Sequence, residues 1–183
     1  NLASAGIRLP LQSVVLLGLS KSALALGLQS PTQQIQFVLI LVGIFTFLTH
    51  FLSASIIFRE RKERAIALGL ISFYFILPLI YSRPLIENLS SSWIMLSALF
   101  AFKYLQKGTA SSIVFSVFFI SISALFRFQS GVCVLAWPLL LYLHRKRYSV
   151  LIFVFAGLFS FVFTGFLDLF LTGGFHRSLK AYW

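Results

Sequence analysis

Arg83, Pro84, Glu87 and Asn88 sit together in one short polar stretch between two apolar runs. Proline suits the first turn of a helix, where its missing N–H costs nothing, so a helix is predicted to begin at or just before Pro84. Arg83 and Glu87 are four apart and share a face of it. A helix N-terminus offers free N–H groups and partial positive charge. With Arg83 beside it, that end forms a phosphate site, and Glu87 either accepts a sugar hydroxyl or orients Arg83. The competing reading is an ion pair that only anchors the helix end. Asn88-Leu89-Ser90 matches a glycosylation sequon, but it lies too near the expected membrane boundary to serve as one. Arg127 interrupts a second apolar run, with Gln129 two residues on and Gly131 breaking the helix. Its guanidinium fork suits a phosphate or a carboxylate. A turn residue reaching for headgroup phosphates would look the same.

Asp168, the only Asp in the chain, ends the last apolar run, and His176, Arg177 and Lys180 follow it. A carboxylate there pairs with an arginine, binds a sugar, or marks the helix end. His176 has no fixed partner in the sequence, so it is a weak acid–base candidate. His50, inside an apolar run, reads as a hydrogen-bonded core residue, and His144 belongs to a basic cluster. No His, Cys or carboxylate spacing suits a metal, and no cofactor is expected. Neither a glycine-rich phosphate loop nor a nucleophile elbow is present. Cys133 is the single cysteine, so it forms no internal disulfide.

The elements that hold these residues must be solvated by lipid. Apolar residues make up 59% of the 183 residues, charged residues 10%, and 22 are Phe; mean hydropathy is +0.96. A water-soluble domain of this size needs far more surface charge, and disordered chains are poor in aromatics. The net charge of +11, from 15 Lys plus Arg against 4 Asp plus Glu, is read as loop charge that orients a membrane protein. Nucleic acid is excluded as a partner, because no aromatic-basic patch lies on a soluble surface.

A helix needs roughly 20 apolar residues to cross a bilayer. Runs 35–57, 65–81, 90–106 and 149–167 are predicted spans, with Trp93 and Lys103 as interfacial anchors of the third. The run 110–143 is too long for one crossing and is split into 110–126 and 131–143 around Arg127. Three basic clusters, Arg59–Arg64, Lys103 with Lys107, and His144–Arg147, are each separated by two crossings. All three are placed on one side, the cytoplasm. The opposite side receives Arg83–Asn88, the Arg127 turn and the tail from Asp168. Residues 11–28 are apolar but carry Lys21, which favours a helix lying on or dipping into the outer face over a full span. No internal repeat is present. The expected fold is all-α, a polytopic transmembrane helical bundle of about six spans forming one domain over 1–183, within a longer protein.

This order of features resembles the glycosyltransferase family 22 mannosyltransferases, integral-membrane C-type enzymes that mannosylate GPI-anchor precursors and lipid-linked oligosaccharides. Gly6-Ile7-Arg8-Leu9-Pro10 is similar to the family's Arg-containing segment before a proline. Arg83-Pro84-Leu85-Ile86-Glu87-Asn88-Leu89-Ser90 resembles its R-x-x-x-N type of motif at a helix start. Arg127 in an apolar run, and Asp168 followed by an aromatic segment through Phe175, resemble its later features. The resemblance implies transfer of mannose or a related sugar from a polyprenyl-phosphate donor to a lipid-linked acceptor, with inversion. It also implies that the catalytic carboxylate lies upstream of residue 1, so the residues here are substrate-binding: Arg83, Glu87, Asn88, Arg127, Gln129, Asp168, His176 and Arg177. The alternatives are a transporter or flippase for an anionic or lipid-linked solute, which needs polar residues at the midplane, and a non-catalytic membrane subunit. Short loops and the lack of a soluble insertion point to a bacterial inner membrane ahead of the endoplasmic reticulum.

Overall fold

The computed structural model describes residues 10–81, 85–126, 136, 139–141, 143–144 and 147–175. Among them the regular structure is entirely helical: α1 Pro10–Ala25, α2 Pro31–Ile57, α3 Arg61–Tyr81, α4 Leu85–Lys107, α5 Ala110–Phe126 and α6 Arg147–Thr172. The all-α expectation stands, and the helices match the predicted runs, extended by a few residues at their polar ends. Ser30 and Pro31 start α2 four residues before its predicted span; the Ser30 N–H donates to Gln33 Oε1 at 3.4 Å. The expected span 131–143 falls largely outside the described residues.

Among the described residues two helical stretches, α2 and Val150–Phe170 of α6, are long and apolar enough to cross a bilayer. At 1.5 Å per residue the 27 residues of α2 reach about 40 Å. Ser13–Ala25 of α1 and the whole of α5 are apolar but shorter. α5 has 17 residues, about 25 Å. α3 opens on Arg61, Lys62, Glu63 and Arg64 and is largely apolar from Ala65 on. α4 carries serines along its length, Glu87 near its start and Lys103 and Lys107 near its end.

The outward faces of α2 and α6 are apolar, and polar groups lie among apolar ones on their inward faces. On α2 the inward face carries Thr46, Thr49, His50 and Ser53 beside Val38, Val42 and Ala54. Its outward face carries Ile35, Leu39, Ile40, Ile44, Leu48 and Leu52. On α6, Phe155, Phe159, Phe166 and Phe170 point outward, the last 89% exposed, while Asp168 is only 6% exposed. A monomer in water does not present apolar surface on this scale; hydrocarbon solvates it without cost.

The packing runs α1–α2–α4–α5–α6, with α3 on the outside of α2. Gly108, at φ +70°, takes the left-handed conformation that ends α4; its N–H bonds the Tyr104 carbonyl at 2.7 Å, and the chain turns directly into α5. Two apolar clusters lie towards opposite ends. One joins Tyr104, Ile113, Val117, Leu141 and Phe153. The other joins Val38, Val42, Leu89 and Phe126, with Val15, Leu16 and Leu19 of α1 against it. α4 and α5 are therefore antiparallel, whereas α5 and α6 start together at the end holding the first cluster.

That end also holds the α2–α3 turn with Arg59–Arg64 and the last turn of α4 with Lys107. Arg59 Nη2 donates to Gln106 Oε1 at 2.8 Å, which joins the α2–α3 turn to the last turn of α4. α6 begins at Arg147 beside the start of α5. α1 packs back along the first half of α2, and at 16 residues it extends about 24 Å. Lys21 lies on it one turn from the α1–α2 turn and is exposed, so its ammonium reaches the opposite end's boundary. Trp93 departs from expectation. Rather than anchoring at an interface, it packs between Phe45 and Phe119, with centroids at 5.4 and 5.7 Å, and its Nε1 is buried without a partner. The helix starts at Leu85, so Trp93 sits two turns inside.

The arrangement of the ends is testable by cysteine accessibility in sealed vesicles. Lys62→Cys and Lys107→Cys should react with an impermeant maleimide from one side, and Gln29→Cys from the other. Labelling of Lys62→Cys and Lys107→Cys from opposite sides would contradict the bundle.

Candidate functional site

The best-defined polar constellation is a seam of hydroxyl groups inside the bundle. Ser90 and Ser97 are seven apart on α4, and Ser116 and Ser123 are seven apart on α5, so each pair lies on one helix face. The helices are antiparallel, and the pairs meet in register. Ser97 Oγ donates to the Ser116 carbonyl at 2.7 Å and Ser116 Oγ to the Ser97 carbonyl at 2.9 Å. The Ser90 and Ser123 hydroxyls lie 2.8 Å apart, and Ser123 Oγ also reaches the Ser90 carbonyl at 2.9 Å. All four are buried. A side chain this small lets backbones approach closely, and a hydroxyl in a dry contact bonds whatever carbonyl is nearest.

The seam continues across α4 onto α2. Ser92 Oγ donates to Thr46 Oγ1 at 3.1 Å. The Thr46 carbonyl accepts from Thr49 Oγ1 at 2.9 Å and from His50 Nδ1 at 2.8 Å. Because a carbonyl only accepts, this bond assigns the proton to Nδ1. His50 is thus the hydrogen-bonded core histidine that the sequence implies. One turn further, Ser53 Oγ is fully buried with no partner. Ser22, Ser72 and Ser121, by contrast, each bond the carbonyl four residues back. The seam is neutral and carries no nucleophile–base pair; its chemistry is cohesion. Among the described residues no group of three or more His, Cys, Asp or Glu could hold a metal ion.

The residues selected from the sequence fall elsewhere. Arg83, Pro84, Arg127, Gln129, His176 and Arg177 lie outside the described residues, as do the Gly6–Leu9 segment and Cys133. Glu87 and Asn88 occupy the first turn of α4. Asp168 alone is described with its side chain. It does not end the helix as expected: α6 runs on to Thr172, and Asp168 is buried one turn inside. The helix closes at Gly173, at φ +76°, whose N–H bonds the Leu169 carbonyl at 2.8 Å. Phe175 folds back edge-on to Phe166, at 5.7 Å and 86°. An apolar hollow lined by Phe163, Phe166, Leu167, Leu169 and Phe170 opens on the outer side of the same turns. The end of α6, the end of α5 at Phe126 and the start of α4 at Leu85 all lie at the end of the bundle away from the basic clusters.

The seam is the feature sequence reasoning missed. Its signal was there: small polar residues seven apart on each of two consecutive apolar helices, and Thr46, Thr49, His50 and Ser53 at spacings of three and four. No protein-family model, curated protein or solved structure matches this chain.

The register of the seam predicts specific crosslinks. In a Cys133→Ser background, Ser97→Cys with Ser116→Cys should oxidise readily, whereas Ser97→Cys with Ser123→Cys should not. Ser97→Ala should lower stability by about 0.5–1.5 kcal/mol, and Ser97→Leu by more, since it forces the helices apart. Unfolding in mixed micelles reads both; equal stability of the Leu variant and the native protein would refute the close contact.

Proposed function

We propose that the chain is the membrane-embedded part of a polytopic, C-type glycosyltransferase of about six spans. It would move a sugar, mannose in the family it resembles, from a polyprenyl-phosphate donor to a lipid-linked acceptor. The observation that carries the reading is the position of Asp168: the chain's one aspartate is sequestered at the bundle end opposite the basic clusters. Leu85 and Phe126 mark the same end, and in the chain they adjoin Pro84 and Arg127. Arginines supplied there would stabilise the phosphate leaving group as negative charge develops on it. A carboxylate and amides would hold sugar hydroxyls. The polyprenyl chain would stay in lipid against the aromatic surface of α6, whose hollow is lined by Phe163, Phe166, Leu167, Leu169 and Phe170. A bacterial inner membrane is the proposed location.

Transport is the second reading, because the hydroxyl seam brings polar groups to mid-depth. Those hydroxyls bond one another across helix contacts, with Ser53 as the buried exception. A seam closed on itself favours surface chemistry over a solute path.

Arg83→Ala, Arg127→Ala and Asp168→Asn in the full-length enzyme should each lower sugar transfer from a polyprenyl-phosphate donor by roughly a hundredfold, the scale for losing one charge-assisted contact. Protein levels should be unchanged. Native turnover in all three would remove the assignment, and solute accumulation in vesicles would support transport instead.

A further inference from the structure

The basic end of the bundle holds groups that sugar transfer at the opposite end does not use. The α2–α3 turn presents Arg59, Arg61, Lys62 and Arg64, all exposed, and α4 ends on exposed Lys107. Glu60 and Glu63 lie in the same turn, yet among the described residues none of these cations is paired with a carboxylate within salt-bridge distance. The protein's own bonds orient two of them instead. Arg59 Nη2 bonds Gln106 Oε1 at 2.8 Å, which ties the guanidinium to the residue beside Lys107. Arg64 bonds the Phe58 carbonyl through Nε at 3.0 Å and the Arg59 carbonyl through Nη2 at 3.3 Å. It thereby satisfies acceptors at the negative end of the α2 dipole and braces the turn.

Directly below the cations the surface turns apolar. Leu52 and Ile56 on α2 are 54% and 43% exposed, and Ile66, Leu70 and Phe73 on α3 are 64%, 67% and 71% exposed. A band of cations, without a carboxylate partner among the described residues and with Arg59 held by Gln106, over an apolar wall complements one kind of molecule, an anionic headgroup that carries acyl chains. Free phosphate would leave the wall unused, and a zwitterionic lipid would bring its own cation to the Arg–Lys cluster.

We propose that the α2–α3 turn and the end of α4 form a binding site for an anionic glycerophospholipid. Its phosphate sits among Arg59, Arg61, Lys62 and Lys107, and its chains lie along Leu52, Ile56, Ile66 and Leu70. The site requires the bundle to be in a bilayer but is independent of sugar transfer. It anchors the bundle from the side opposite the proposed chemistry.

The test uses the purified protein in nanodiscs that mix phosphatidylcholine with phosphatidylglycerol, and mass spectrometry counts each lipid retained on the protein. The native protein should retain phosphatidylglycerol preferentially, and the preference should fall as salt rises. Arg59→Gln with Lys107→Gln should lower it by about thirtyfold, the scale for removing two charges at a membrane surface. Arg59→Lys should largely keep it, which separates charge from the structural role of the Gln106 bond. Lys21→Gln, at the other end of the bundle, should leave it unchanged. An unaltered preference in the double variant, an equal loss in Lys21→Gln, or complete displacement of the lipid by millimolar inorganic phosphate would each overturn the proposal. Failure of sugar transfer would not bear on it.

Discussion

The bundle depends on the reciprocal serine contact between α4 and α5. In water, burying apolar side chains would hold two helices together. In hydrocarbon that driving force vanishes, because a leucine is as well solvated by acyl chains as by another leucine. What remains is close van der Waals contact and hydrogen bonding between helices. Ser90, Ser97, Ser116 and Ser123 supply both: they are small enough to let the backbones approach, and each reaches a carbonyl or hydroxyl on the other helix. The same contact favours one register, since a slip of one residue would break the interhelical bonds of all four hydroxyls.

From this contact the placement of the other helices follows. α2 docks on the other side of α4, where Ser92 finds Thr46 and where Phe45, Trp93 and Phe119 stack. α6 docks on α5 through Ile113, Val117 and Phe153. Gly108 turns α4 into α5 within two residues, so the basic end of α4 lies beside the start of α5. The outcome is a molecule with two unlike ends, one rimmed with cations and one holding a buried aspartate. The proposed lipid-linked substrate would use that polarity, because its headgroup is confined to one face of the membrane while its chain stays in the slab.

Much of this was legible in the residues. Uninterrupted apolar runs located the helices to within a few residues, since length and hydropathy decide where a chain can satisfy its own backbone in lipid. The spacing of the basic clusters placed them at one end, and the Arg59–Gln106 bond joins two of them. Three features were not legible. Trp93 reads as an interfacial anchor because aromatic belts are the common use of tryptophan near a polar segment; only its distance from the start of α4 shows that it is internal. Asp168 reads as a helix terminus because charge ends apolar runs, yet Gly173 is the stop, one turn later. The serine seam is silent on a hydropathy scale, which scores serine as nearly neutral; it emerges only when two helices are aligned antiparallel. The proposed sugar site was readable only as residue types, since Arg83, Arg127 and His176 lie outside the described residues.

The central claim is that α2 turns its hydroxyls and His50 inward and its leucines and isoleucines outward to lipid. Spin labels placed singly along α2 in a bilayer, with collisional relaxation by oxygen as the readout, test it most directly. Labels at Ile40, Ile44 and Leu48 should be strongly accessible and labels at Thr46, Thr49 and Ser53 protected, with a helical period between them. Uniform accessibility along α2, or protection at Ile40 and Ile44 with exposure at Thr46 and Ser53, would contradict it.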